Sequence, residues 1–311
     1  MAAGIDVLVR EVGLRDGLQM AAPLVPTDAK LAWIAAEAAA GLREIEVTSY
    51  VPAKLLPQFA DAEEITAGAL AIPGLTVAAV VPNLKGAERG FALGAHKLSF
   101  VLSVSRGHNL ANVRREREDS VADFRRIVAL RDQLPDGRRP LLAAGLATAL
   151  GCSIEGEIAI DEIRRFAALL AEAGADEIVV ADTVGYGDPR RVRAVMKAVR
   201  AEIGDVPIFA HFHDTRGLGL ANAAAALECG VTRFDASLAG LGGCPYAPGA
   251  TGNIVMEDLC FLLESMGLRT GVDIERLIAV RQLVLPHLPG VDFHGALARA
   301  GLPKNFKEPR S

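Results

Sequence analysis

The chain has 311 residues, 51% of them apolar and only 5% aromatic, and its 33 basic against 38 acidic side chains leave a formal net charge of −5. That length holds two average domains or one large α/β barrel with a sizeable core, and the negative balance argues against a nucleic-acid or anionic-membrane surface as the main partner. An interior poor in aromatics and rich in Ala, Leu, Val and Ile is what close packing of helices on a parallel sheet requires.

Short β-rich runs alternate with longer Ala- and Leu-rich helical runs from one end of the chain to the other. Strands are predicted over 7–13, 43–47, 75–80, 97–103, 140–144, 177–181, 208–211 and 233–237, and helices over 28–40, 60–70, 85–93, 118–133, 158–173, 189–202, 219–229 and 254–266. Segments such as Glu172-Ala173-Gly174-Ala175 and Glu228-Cys229-Gly230 end a helix on glycine and pass straight into a strand. Strict alternation with short connections indicates parallel strands, and eight units indicate a closed (β/α)8 barrel. An open doubly wound sheet is the alternative, but no Gly-rich dinucleotide fingerprint follows the first strand. The fold class is therefore α/β: a barrel domain over 1–270, with an appended C-terminal helical segment over 271–311 packed on it.

Cys152, Cys229, Cys244 and Cys260 show no CxxC spacing, so a disulfide framework or zinc knuckle is not expected and a reducing, cytoplasmic setting is. The first residues lack the Arg- and Ser-rich character of a transit segment, and nothing is expected to be cleaved. The uncharged run 236–256 is long enough for a membrane span, but its five Gly and two Pro make it a loop.

In such a barrel the active site forms where strands end and βα loops begin. The polar residues that stand out all fall there. Strand alternation puts His211 and His213 on one face and Ile208, Ala210 and Phe212 on the other, which is a metal-ligand arrangement; two hydrogen-bonded strand-end histidines are the alternative. Asp16, after the first strand, supplies a hard oxygen or else caps a turn beside Gly17. Two imidazoles with carboxylate and amide oxygens suit Mg2+ or Mn2+. Arg15 is placed to stabilise an oxygen that becomes negative during reaction, or to form a salt bridge. Glu46 shares the inward parity of Glu44 and Thr48 and needs a buried partner, for which Arg15 or the metal site serves. In the loop 240–253, Gly240, Gly242, Gly243, Gly249 and Gly252 permit close approach to a ligand and hinge motion. Cys244 in that loop is a proton donor or a small packing residue, and Asn253 is a ligand or the cap of the next helix. Arg106 and the run Arg114-Arg115-Glu116-Arg117 form a solvated helix face or meet an anionic tail.

Taken together, Val12-Gly13-Leu14-Arg15-Asp16-Gly17-Leu18-Gln19, Ile45-Glu46-Val47-Thr48-Ser49, Ala181-Asp182-Thr183, His211-Phe212-His213-Asp214 and the loop 240–253 resemble the 3-hydroxy-3-methylglutaryl-CoA lyases over about residues 5 to 270. Gly-Gly-Cys-Pro-Tyr-Ala within the loop separates that branch from the isopropylmalate and homocitrate synthases, which share the paired histidines. The resemblance implies a TIM barrel, metal ligands Asp16, His211, His213 and Asn253, and a catalytic group of Arg15, Asp16, Glu46, His211 and Cys244. Gln19, Ser49, Asp182 and Thr183 join Arg15 as substrate-binding residues, with an acyl-CoA as substrate and a homodimer as the assembly.

The reaction so implied cleaves 3-hydroxy-3-methylglutaryl-CoA to acetyl-CoA and acetoacetate. A lyase for another 3-hydroxy-3-substituted acyl-CoA, such as a citramalyl-CoA-like thioester, and a condensing acyltransferase are the alternatives. Two departures bear on the acyl group and the CoA. Met20-Ala21-Ala22-Pro23 is apolar where the family carries a lysine for CoA, and Val180 stands where better-studied members offer a serine.

Overall fold

Eight four- to seven-residue strands form a parallel sheet that closes on itself in the order β1 to β8. They are Leu8–Glu11, Glu44–Ser49, Thr76–Val81, Lys97–Ser103, Leu141–Ala147, Glu177–Asp182, Ile208–Phe212 and Arg233–Ala236, and β1 pairs with β8 as well as β2. The computed structural model describes residues 4–243 and 252–307. The fold is the TIM barrel expected from the alternation.

The helices that cover the sheet are α1 (Thr27–Ala39), α2 (Ala62–Leu70), α3 (Leu84–Leu93), α4 (Arg106–Val113), α5 (Arg117–Arg131), α6 (Ile160–Glu172), α7 (Pro189–Ile203), α8 (Gly219–Leu227) and α9 (Met256–Ser265). The additional helix is α4. It starts where Ser105 Oγ accepts the His108 N–H at 3.1 Å and stops where Arg114 takes a left-handed conformation, φ 55°. Its few apolar positions gave no periodic signal, so the sequence reading began the helical region only at 118. Beyond the barrel, α10 (Ile274–Val284) lies against α1 and α9, and α11 (Leu297–Ala300) lies against α9. Among the described residues no helix is long and apolar enough to cross a membrane.

The lower barrel interior is ionic. Arg10 forks onto Asp235 at 2.8 and 2.9 Å and reaches Glu44 at 3.4 Å. Lys97 Nζ lies 2.7 Å from both Glu44 and Glu177, and Arg233 pairs with Glu177. Three cations thus meet three carboxylates around the Phe209 ring, over which Arg10 and Lys97 stack at 4.4 and 4.9 Å. A balanced, hydrogen-bonded set is the condition under which charges tolerate burial.

A second buried cluster ties the end of β1 to the end of β8. Glu11 accepts the N–H groups of Gly13 and Leu238, so one carboxyl holds the first residue of each following turn. Glu37 of α1 lies beside it, fully buried, between Glu11 and Trp33. Burial pushes the Glu11 carboxyl up to about 8, against the pull of the Gly13 and Leu238 N–H groups, and pushes Glu37 up as well. A carboxyl whose folded pKa is raised keeps its proton in the native state after the unfolded chain, titrating near about 4.3, has released it. Its stabilisation is complete below that value and is lost as pH rises through the folded pKa. Thermal unfolding followed from pH 5 to pH 8 should show stability falling by about 1.4 kcal/mol per pH unit for each such group. Glu11→Gln, which keeps the acceptor, should flatten that fall; an equal slope in the variant would remove Glu11 as its source.

Candidate metal centre

The turn after β1 is wound so that the Val12 carbonyl accepts the N–H groups of Arg15, Asp16 and Gly17 at 3.1, 2.6 and 3.2 Å, presenting Arg15 and Asp16 side by side at the C-terminal mouth. Gly17 is required there, because a Cβ would lie 2.9 Å from Leu241 Cβ and push away the loop that follows β8. From β7, His211 and His213 project onto the same point. Their Nε2 atoms stand 3.2 Å apart, and His213 Nε2 is 3.4 Å from Asp16 Oδ2. Asn253, bridged to His213 across the loop, donates to Asp16 Oδ2 at 2.7 Å and to the Leu241 carbonyl at 3.0 Å. It does not cap α9, whose N-cap is Val255. Gly242 makes room for it, since a Cβ there would meet Asn253 Nδ2 at 2.6 Å.

This group fits a divalent cation. One ligand atom each from Asp16, His211 and His213 falls within 4.8 Å of the others, and Asn253 Oδ1 is buried beside them with no hydrogen-bond partner. His211 Nδ1 faces Asp235 Oδ2 at 3.1 Å, so in the neutral ring the proton sits on Nδ1 and the Nε2 lone pair points at His213. Two imidazole nitrogens at 3.2 Å need a proton or a cation between them. The mixed oxygen and imidazole donor set suits Mg2+ or Mn2+.

Charge is tightly organised around the point. Burial alone would raise the Asp16 carboxyl, but the Arg15 guanidinium and His213 hold it well below the usual carboxylate range. Asp235 is likewise held low, against burial, by Arg10 and His211. His211 is raised despite burial, because Asp235 faces it. Arg15 donates from Nε to Glu46 Oε2 at 2.5 Å and from one terminal nitrogen to Asp16 Oδ1 at 2.7 Å. Glu46 therefore has the partner that its inward position demanded.

The cavity beside this point has a volume of about 590 Å³ and is lined by Arg15, Asp16, Gln19, Glu46, Ser49, Thr183, His211, His213 and Gly243, among others. Ser49 reaches it because a bulge between Glu46 and Thr48 shifts the alternation, so that Ser49 rather than Thr48 faces inward. The Asp182 carboxylate accepts the Tyr186 and Gly187 N–H groups at 2.9 and 3.0 Å, holding the turn after β6. Val180 packs outward in the core, and Val179 and Ala181 are the β6 residues on the cavity. Gly240, Gly242 and Gly252 sit in the loop base beside Asn253, whereas Cys244 and Gly249 lie outside the described residues. Arg106 pairs with Glu116 on the surface. Sequence reasoning missed Asp235 and Arg10. Both share the inward parity of their strands, but a lone acid or base near a strand end is ambiguous without its partner.

The HMGL-like family model matches residues 7–284. The hydroxymethylglutaryl-CoA lyase YngG of Bacillus subtilis is 36% identical over 280 residues, covering 89% of this chain and 92% of that protein. The cytoplasmic 3-hydroxy-3-methylglutaryl-CoA lyase of Rattus norvegicus is 37% identical over 272 residues, 88% of this chain and 78% of its own length. Among solved structures, an HMG-CoA lyase of A. baumannii in complex with coenzyme A and 3-methylmalate superposes with a TM-score of 0.90 at 39% identity, covering 99% of each chain.

Proposed function

The chain belongs to the HMGL-like family and is a carbon-carbon lyase of the hydroxymethylglutaryl-CoA lyase type; from that premise we propose that it cleaves a 3-hydroxy-3-substituted acyl-CoA, with the 3-hydroxy-3-methylglutaryl thioester as reference substrate, to acetyl-CoA and a keto acid. The observation that carries this reading is the convergence of Asp16, His211, His213 and Asn253 on one point, with Arg15 beside them on the cavity wall.

A divalent ion bound by these four residues supplies Lewis acidity that lowers the pKa of the substrate's tertiary hydroxyl and orients it. The chain's own groups do the rest. Transfer of the hydroxyl proton to a base of the site, Asp16 or His211, turns C3–O into a carbonyl as the C2–C3 bond breaks, and the bonding pair passes into the thioester as an enolate. Arg15, fixed by Glu46 and Asp16, has a terminal nitrogen left to donate to that enolate oxygen. Protonation at C2 gives acetyl-CoA, and we assign the proton to Cys244, whose loop departs from Gly243 on the cavity wall. Asp235 keeps the His211 ring oriented and Glu46 keeps Arg15 aimed. Gln19, Ser49 and Thr183 are placed to contact substrate. The same reading carries a cytoplasmic homodimer, by kinship.

Chelator treatment followed by Mg2+ or Mn2+ should switch acetyl-CoA release from the reference thioester off and on, with one tight ion per chain by calorimetry. Turnover that survives chelation, or no ion bound, would refute the reading.

A further inference from the structure

The wall of the barrel mouth divides by strand. The charged side chains that the strands and the β1 turn put on the cavity come from β1 and its turn, β2, β7 and β8, in Arg10, Arg15, Asp16, Glu46, His211 and Asp235; Arg114 and Arg115, past α4, line it as well. The opposite wall, β3 to β6, presents Val80, Val101, Gly145, Ala147, Val179 and Ala181. The polar residues on that side are Ser99, one layer deeper on β4, Thr183, just past β6, whose Oγ1 accepts the Thr148 N–H at 2.8 Å, and, beyond the strands, Asn83, His108 and Asn112 with the two arginines.

Register joins these apolar positions into one surface. Val101 pairs with Gly145, Gly145 with Val179 and Val179 with Phe209, and one step towards the mouth Ala181 pairs with His211. The surface therefore abuts a proposed metal ligand. Inward positions of a filled barrel are fully buried, yet Val101, Gly145 and Ala181 are only half-buried, because they face the cavity.

Gly145 is the informative residue. It is not among the positive-φ glycines, so its backbone does not demand glycine. A Cβ would meet the Phe100 carbonyl oxygen at 3.3 Å and Val101 Cα at 3.8 Å, which is tight but passable. Glycine inside a strand weakens it and marks close approach of something else. What its missing side chain leaves is cavity space, walled by methyl groups.

We propose that this recess receives the C3 substituent of the acyl chain, and that the preferred substrate carries there an alkyl group longer than methyl. The inference rests on the lyase reading above. An ionised carboxylate or the reacting hydroxyl is directed to the charged half, since burying either against Val, Ala and Gly forfeits its hydrogen bonds. The C3 branch is the part of the molecule that gains from an apolar wall, and a methyl group alone leaves atoms of that wall without contacts.

The test is a series of 3-hydroxy-3-alkylglutaryl-CoA thioesters, with methyl, ethyl, propyl and butyl branches, scored by acetyl-CoA released from the metal-loaded protein. kcat/KM is expected to rise by about fourfold per methylene accommodated, from methyl through propyl. Gly145→Val, checked for native circular dichroism and melting, should lower the propyl-to-methyl ratio of kcat/KM by more than about tenfold. Methyl as the best branch in the unaltered protein, while cleavage proceeds, overturns the recess and leaves the lyase standing. Absence of acetyl-CoA from every thioester overturns both. If Gly145→Val does not fold, the series on the unaltered protein decides alone.

Discussion

Arg15→Met is expected to lower kcat for the reference thioester by about a hundred- to a thousandfold, the loss that follows removal of one preorganised donor from a developing oxyanion. The size follows from how Arg15 is held. Glu46 takes Nε and Asp16 takes one terminal nitrogen, so the guanidinium is aimed before substrate arrives and needs no reorganisation during reaction. Lysine has one ammonium in place of this fork and cannot satisfy both carboxylates while donating to a third oxygen. Arg15→Lys should therefore recover only a small part of the rate. Because the charge to be stabilised exists in the transition state and not in the ground state, kcat should fall more than KM changes. Metal affinity, measured separately by Mn2+ titration, separates loss of the oxyanion donor from disturbance of Asp16. A kcat within about tenfold of the unaltered protein would show that the enolate is stabilised by another group.

The strand positions and the barrel were legible because alternation between strand and helix is set by local pattern, and a glycine shortly precedes each strand. The rim residues were legible because a strand end followed by Arg-Asp or His-x-His has few apolar neighbours to hide among. Other features were not. The Glu46/Thr48 bulge is a property of pairing with β3, so parity counted from Glu46 put Thr48 on the cavity where the fold puts Ser49. A one-residue shift of that kind moves a strand side chain to the other face. Charges that compensate one another across the barrel, such as Lys97 with Glu44 and Glu177, are separated by 53 and 80 residues, and neither partner announces the other in sequence.

The C-terminal segment is the part of the fold whose contribution to the site sequence could not suggest, and Arg281→Met is expected to expose it, destabilising the protein by about 3 to 5 kcal/mol. Ala239, directly after β8, is held at φ 57° and ψ 15°, a left-handed conformation that an alanine adopts only when its surroundings impose it. Its N–H is accepted by Glu257 of α9 at 3.1 Å, and its carbonyl accepts the His294 N–H at 2.8 Å. Glu257 is itself fully buried, and Arg281 of α10 reaches it at 2.9 Å. Methionine at 281 leaves that carboxylate without its cation, and burial already pushes its pKa up. In Glu257→Gln/Arg281→Met the charge is gone and an acceptor for the Ala239 N–H remains, so most of the stability should return. Ala239 leads into Gly240, Leu241 and Gly242, and the Leu241 carbonyl is a hydrogen-bond partner of Asn253. The single variant should therefore also bind Mn2+ less tightly, in step with its lost stability, and adding Ala239→Gly should recover metal affinity, because glycine enters the left-handed region at no steric cost. Denaturant unfolding of the three variants beside Mn2+ titration reads both effects. A single variant as stable as the unaltered protein would mean that Arg281 does not neutralise Glu257 in solution, and a glycine that recovers no affinity would detach the strained residue from the ligand loop.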